Sequence, residues 1–326
     1  MGKKRVMKRS SEADVVLLGD AFEEFMIETE AKGRSVKTLK NYKQSYNYFF
    51  RFNGFDDNTT TNEVTQQQLF KWMNSLKNEG RKAATINHYL RDVRTFLYWC
   101  MEKRYIDENF KVEMAKGQEE PLKLFTDDEL DLLLTKPRRN DSFVEWRTWA
   151  IVNWVLATGN RASTICNLRL YDLNFHKKEY VIRYAKNKKP DVNPLSDAVI
   201  TVIKEYMRAF LKDKSDSTFL FPDIGGEQMS TNALRLAFKR YCKNRGVTHT
   251  NIHGLRHNFA KGWVRNNGNL FSLQKILGHS SLEMTRKYVK MFAEDVKEGY
   301  EQYSPLDTIK KSSKRKQVVK RSDDLI

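Results

Sequence analysis

Ile252-His253-Gly254-Leu255-Arg256-His257-Asn258-Phe259 is the stretch on which the reading of this chain turns. Wound as a helix, it sets His253 and Arg256 on one face at i and i+3, and it turns Leu255, Phe259 and then Trp263 towards a core. The polar pair is expected to point outward together. Four of the six histidines, His249, His253, His257 and His279, fall within 31 residues, just ahead of Tyr288. Such clustering marks a site. His253 and His257 at i and i+4 also imitate a zinc pair, but Gly254 stands where H-E-x-x-H requires Glu, and no third ligand accompanies them. No metal is expected.

Downstream, residues 272–277 form a short helix closed by Gly278. His279-Ser280-Ser281-Leu282-Glu283 follows, with Ser280 and Glu283 as a capping box, and Tyr288 sits about two turns into the helix so begun. Upstream, Ala157-Thr158-Gly159-Asn160-Arg161 ends a buried helix over 144–158, placing Arg161 at a turn on the edge of a domain interior. An arginine there presents a planar fork to a carboxylate or to two phosphate oxygens. Between 171 and 196 the apolar period changes to two, with Tyr180, Ile182 and Tyr184 on one face. That is the pattern of a small antiparallel sheet, its last turn at 186–190.

The front of the chain reads differently. From 11 to 104 the apolar spacing is three and four throughout, which predicts four helices: 13–32, stopped by Gly33; one capped by Ser35; 65–77; and 83–103. The second of these carries Lys37, Lys40 and Lys43 on a face able to lie along phosphates or simply to be solvated. Residues 105–121 lose periodicity and end in Glu120-Pro121, a linker pattern. Thr126-Asp127-Asp128-Glu129 is then a capping box opening the next helix. The expected organisation is a basic N-terminal tail (1–10), a helical domain (11–104), the linker (105–121), a second domain that carries the histidine cluster (122–300) and a basic C-terminal tail (301–326). The fold class is mainly α with a small antiparallel β-sheet in the second domain.

Composition narrows the partners. The 326 residues carry 58 Lys and Arg against 41 Asp and Glu, a net charge of +17, and a field of that sign attracts polyanions. Residues 1–9 hold five basic side chains and no acid, and residues 310–326 hold seven against two. These tails suit both solvated disorder and non-specific backbone binding. Cys100, Cys166 and Cys242 form no C-x-x-C pair, which suits a reducing cytoplasm and no structural zinc. No apolar stretch approaches the roughly 18 residues of a membrane span, and the basic N-terminus lacks a signal-peptide core, so a soluble, cytoplasmic protein without a membrane partner is expected. There is no G-x-x-x-x-G-K-[ST] loop, and no nucleotide cofactor is expected.

Taken in order, A-T-G-x-R at Ala157 to Arg161, H-x-L-R-H at His253 to His257, and L-G-H-S-S from Leu277 with Tyr288 nine residues beyond His279 resemble the tyrosine recombinases, or phage integrases. The resemblance spans nearly the whole chain. It implies a two-domain DNA clamp, with a SAM-like core-binding domain ahead of the catalytic domain. It makes Tyr288 the nucleophile, makes Arg161 and Arg256 clamps on the scissile phosphate, and has His253 and His279 complete the site. The family's lysine lies in the β-hairpin eight residues before a Pro-Leu pair, which selects Lys186, with Lys188 and Lys189 as alternatives because Asn187 and Pro190 depart from the usual turn. Thr164 also departs, standing where the family has an acid. His257 is read only as orienting its neighbours.

The same resemblance implies a 3′-phosphotyrosine intermediate on double-stranded DNA, and a homo-oligomer, a tetramer on two DNA sites. Accessory DNA-bending proteins are left open. It favours integration or excision of a mobile element or phage, with chromosome or plasmid dimer resolution as the alternative, and a catalytically inactive DNA-binding relative as another. A type IB topoisomerase shares the chemistry but has lysine where His253 stands. With no arm-binding domain ahead of residue 11, a simple recombinase acting on its core site is expected. The chemistry is coherent on its own terms. A phenol of pKa near 10 is about 0.1% ionised at neutral pH and needs a base or cationic neighbours to attack phosphorus. The expected lysine protonates the leaving oxygen.

Overall fold

The computed structural model describes residues 16–117, 122–183, 190–279 and 281–292, with side chains through Tyr288. The chain divides into two compact units, Met1–Glu120 and Pro121–Ile326. It is mainly helical with one small antiparallel sheet, as the sequence leads one to expect. No described helix is long and apolar enough to cross a membrane.

Among its described residues the first unit holds four α-helices, α1 (Leu18–Ala31), α2 (Val36–Phe52), α3 (Gln66–Asn78) and α4 (Ala83–Lys103). Gly33 takes a φ of 73° at the turn after α1, and the Ser35 hydroxyl accepts from the Thr38 N–H to cap α2. The apolar stripes meet in an aromatic core. Phe22 stacks on Tyr46 at 3.7 Å between centroids and meets Phe96 edge-on at 5.2 Å, while Trp72, Leu76, Leu97 and Cys100 are fully buried. α1 begins later than its periodicity predicts. Val16 and Leu17 are extended instead, because the Leu18 N–H bonds the Thr59 carbonyl and the Thr61 N–H bonds that of Val16.

Residues 105–117 have irregular backbone, yet they are anchored to this unit. Ile106, Val112 and Ala115 are buried, and the Asn87 amide brackets Ala115, donating to its carbonyl and accepting from its N–H. Lys37, Lys40 and Lys43 are all exposed on α2.

In the second unit α5 (Asp127–Leu134) starts at the expected capping box, with Thr126 accepting from the Glu129 N–H and Glu129 from the Thr126 N–H. α6 (Phe143–Thr158) is apolar on nearly every face and therefore runs through the core, packed between α8 (Asp197–Phe210) and α10 (His253–Arg265). α7 (Ala162–Asn167) leads to the sheet β1 (Leu173–Asn174), β2 (Glu179–Ile182) and β3 (Asp191–Pro194). Its strands are antiparallel in the order β1-β2-β3, with Tyr180 opposite Asn193 and Ile182 opposite Asp191. Tyr180 is fully buried and Ile182 packs on the core, while Tyr184 lies outside the described residues. The remaining α-helices among the described residues are α9 (Thr231–Asn244), α11 (Leu270–Leu277) and α12 (Leu282–Phe292). The basic tails, Ser280, Lys186, Lys188, Lys189, Tyr300, Tyr303 and Leu306 are outside the described residues.

Candidate active site

The site grows from the end of α6. Gly159 closes this helix with φ 65°, a conformation that costs L-residues energy. A Cβ there would stand 2.6 Å from Phe259 and 2.7 Å from Leu277, so glycine is required twice over. Asn160, 4% exposed, fastens the turn to the core. Its Oδ1 accepts from Trp154 Nε1 at 2.9 Å, and its Nδ2 donates to the Tyr180 hydroxyl at 2.8 Å. The chain then delivers Arg161 at the N-cap of α7. The guanidinium is exposed, and its Nη2 donates to the Gly278 carbonyl at 3.1 Å.

α10 supplies the second arginine, and here the structure corrects the expectation that His253 and Arg256 point outward together. His253 is accessible, but Arg256 is 3% exposed. It turns inward because two main-chain carbonyls await it. Nη1 donates to Gly159 O at 2.7 Å and Nη2 to Leu277 O at 2.8 Å. Nη2 also meets His279 Nε2 at 3.0 Å. The two arginines are thus oriented by the carbonyls of Gly159, Leu277 and Gly278. Among the described residues no carboxylate pairs with either. With Thr164 in place of an acid, neutral acceptors hold the cations and leave their charge uncompensated.

Tyr288, the seventh residue of α12, is 4% exposed and packs against Ala260, Leu273 and Leu277. Its hydroxyl lies 2.8 Å from His257 Nδ1, and its ring is parallel to that of His279 with centroids 6.4 Å apart. Burial pushes the phenol pKa up, and Arg256 and Arg161 oppose that shift. Burial, reinforced by Arg256, Arg161 and the neighbouring histidines, lowers His279 to about 4. Burial with His253 and Arg256 does the same to His257. His253 is lowered too, first by the protein packed around its accessible ring and then by the two arginines.

At neutral pH the rings of His257 and His279 are therefore uncharged, which fixes the His279 tautomer. Nε2 accepts from Arg256, so Nδ1 carries the proton and donates to Thr285 Oγ1 at 2.9 Å. Five of the six catalytic side chains expected from the sequence thus come together, Arg161, His253, Arg256, His279 and Tyr288, and Lys186 lies outside the described residues.

Residues 123–295 match the model of the phage integrase family, and residues 20–104 match that of the phage integrase N-terminal SAM-like domain. The chain belongs to the phage integrase family. This integrase is a site-specific tyrosine recombinase. It is 24% identical over 282 residues to tyrosine recombinase XerD of Listeria monocytogenes serotype 4b (strain F2365), a match covering 84% of this chain and 94% of that relative. It is 25% identical over 301 residues to tyrosine recombinase XerA of Pyrococcus horikoshii, covering 91% and 98%. Its fold matches that of the Tn1549 transposon integrase in complex with transposon right end DNA, with a TM-score of 0.68, 18% identity and coverage of 92% of this chain and 99% of that one. A lambda integrase tetramer bound to a Holliday junction matches at 0.68 with 16% identity, covering 84% and 78%.

Three residues of the integrase site escaped the sequence reading. His257 was assigned only an orienting role, yet it touches the tyrosine hydroxyl. Thr285 sets the His279 tautomer, and its spacing of six from His279 across a turn carries no periodic signal. Asn160 sits inside the A-T-G-x-R motif at its variable position, and its partners come from α6 and β2.

Proposed function

We propose that this integrase cleaves and rejoins double-stranded DNA at specific sites through a 3′-phosphotyrosine on Tyr288, acting as a tetramer on two DNA sites. The observation that carries the reading is the pair of uncompensated guanidiniums beside a buried tyrosine hydroxyl. A phosphodiester passing through its pentacoordinate state gathers negative charge on its oxygens. Arg161 and Arg256, already oriented by carbonyls, meet that charge with little reorganisation, each contributing on the order of 3 kcal/mol by analogy with oxyanion donors. His279, whose Nε2 now accepts from Arg256, and His253 line the same space. Lys186, with Lys188 or Lys189 as alternatives, protonates the departing 5′ oxygen. The ester on Tyr288 conserves the energy of the broken bond, so rejoining is its reversal. The exposed Lys37, Lys40 and Lys43 of α2 bind phosphates flanking the site.

The biological setting we favour is integration and excision of a mobile element, in keeping with the fold shared with a transposon integrase bound to transposon-end DNA. Resolution of chromosome or plasmid dimers by the same chemistry is a second reading, supported by similarity to the Xer recombinases over most of their length. The test is to incubate the protein with DNA flanking its own gene and look for SDS-resistant adducts, comparing wild type with Tyr288→Phe. Adducts from wild type alone support cleavage, and the recovered sites separate the two settings: element ends and their circular joint, or paired sites on one replicon. If both proteins shift the DNA and neither forms an adduct even on nicked duplex, the chain is a DNA-binding relative without catalysis.

A further inference from the structure

We infer that His257 is a catalytic residue, the base that takes the phenolic proton of Tyr288 as its oxygen attacks phosphorus. The inference rests on the assignment of Tyr288 as nucleophile and goes beyond the orienting role in which the sequence pattern casts His257. Its first ground is contact. Nδ1 of His257 lies 2.8 Å from the Tyr288 hydroxyl, within the reach a general base requires, whereas the ring nitrogens of His279 are turned to Arg256 and Thr285. Its second ground is seclusion. Tyr288 is buried among Ala260, Leu273 and Leu277, so bulk water is a poor acceptor and His257 is the acceptor at hand. Its third ground is protonation state. A phenol donates more readily than it accepts, and His257, held near 4 by burial, His253 and Arg256, is unprotonated at neutral pH and offers a lone pair.

A base of that strength is weak in the free protein, but the substrate changes its surroundings. Burial is the main cause of the low His257 pKa, and Arg256 adds to it; a phosphate seated on Arg256 offsets that charge and raises the basicity of His257 as the diester binds. The step balances. The Tyr288 O–H bond breaks and its proton passes to Nδ1 as the phenolic oxygen bonds phosphorus. The bond from phosphorus to the 5′ oxygen then breaks, and that oxygen takes a proton from the general acid. In rejoining, the imidazolium returns its proton to the departing tyrosine. His253 stacks edge-to-face on His257 at 4.6 Å between centroids and supports the ring without touching the hydroxyl.

The test uses the full chain and the duplex that wild type cleaves in the adduct assay, nicked so that adducts accumulate, in single-turnover measurements from pH 5 to 9. His257→Asn keeps an oxygen where Nδ1 stood and still accepts from Tyr288, but it cannot take up the proton. His257→Ala leaves a space that imidazole in solution fills. The titrating and charged groups around His257 are His253 and Arg256 on α10, Tyr288 on α12, and Arg161, His249 and His279 from the loops, so the pH profile is read as a difference between variants.

We expect both variants to form adducts roughly 100-fold more slowly, the lower end of what a positioned base contributes. We also expect imidazole to restore part of the His257→Ala rate, and the acidic limb of the wild-type profile to be lost in both variants. A wild-type rate in His257→Asn overturns the proposal and leaves His257 a positioning residue. So does a slowed His257→Ala that imidazole does not rescue and whose pH profile matches wild type. No adduct from wild type under these conditions overturns the tyrosine reading and this one with it, and the wild-type control separates that failure from the others.

Discussion

Replacing Gly159 by alanine combines two penalties that the structure separates. At φ 65° an alanine pays the left-handed penalty of about 1–2 kcal/mol. Its methyl would also stand 2.6 Å from the Phe259 ring and 2.7 Å from Leu277, contacts that force repacking at about 1–3 kcal/mol. The total is about 2–5 kcal/mol, a large share of the 5–15 kcal/mol typical of a folded domain. Gly246, at φ 72° after α9 in the same unit, has nothing within 4 Å of a built Cβ, so Gly246→Ala carries only the backbone term. Urea unfolding of both variants, followed by tryptophan fluorescence, is expected to show Gly159→Ala less stable than Gly246→Ala by about 1–3 kcal/mol. Because the Gly159 carbonyl orients Arg256, Gly159→Ala is also expected to lower adduct formation more than DNA binding. Equal destabilisation by the two alanines would refute the crowding argument, and unchanged adduct formation would refute the coupling to Arg256.

Asn160→Ala leaves Trp154 Nε1 and the Tyr180 hydroxyl buried without their partner, and the expected loss is about 2–4 kcal/mol in the same unfolding experiment. A loss below 1 kcal/mol would mean that water or a shift replaces both bonds. Thr285→Val removes the acceptor that fixes the His279 tautomer, so single-turnover adduct formation should fall roughly tenfold while the melting temperature moves little. Arg256→Lys exchanges a fork held by two carbonyls and His279 for a single ammonium, and adduct formation should drop about 100- to 1000-fold, the range for lost oxyanion donors. His257 and His279 titrate near 4 when folded against 6.5 for a free imidazole, so the unfolded chain binds more protons between those values. Stability should therefore fall as the pH drops from about 6.5 to about 4 and level off below. His257→Asn should flatten that slope, and identical slopes would count against the buried neutral imidazole.

Much of this was legible in the chain because its signals are local. The glycine that ends α6, the capping box at Thr126, and the period change into β2 each follow from a few neighbouring residues, and the motifs place Arg161, Arg256, His279 and Tyr288 in order. What stayed hidden is contact between elements. Nothing in H-x-L-R-H says which way Arg256 turns, since its direction is set by carbonyls 97 and 21 residues away. The His257 bond to Tyr288 spans 31 residues and needs α10 and α12 side by side. Residues 105–117 lacked periodicity and read as linker, but irregular backbone still buries Ile106 and Val112 where an amide such as that of Asn87 satisfies its polar groups.

The most direct test of the account is to trap the protein–DNA adduct, digest both components, and identify by mass spectrometry the peptide that carries the nucleotide remnant. The account predicts the remnant on Tyr288, joined through a 3′-phosphate, with a free 5′-hydroxyl on the other side of the break. A remnant on another residue, or a linkage through a 5′-phosphate, would contradict it.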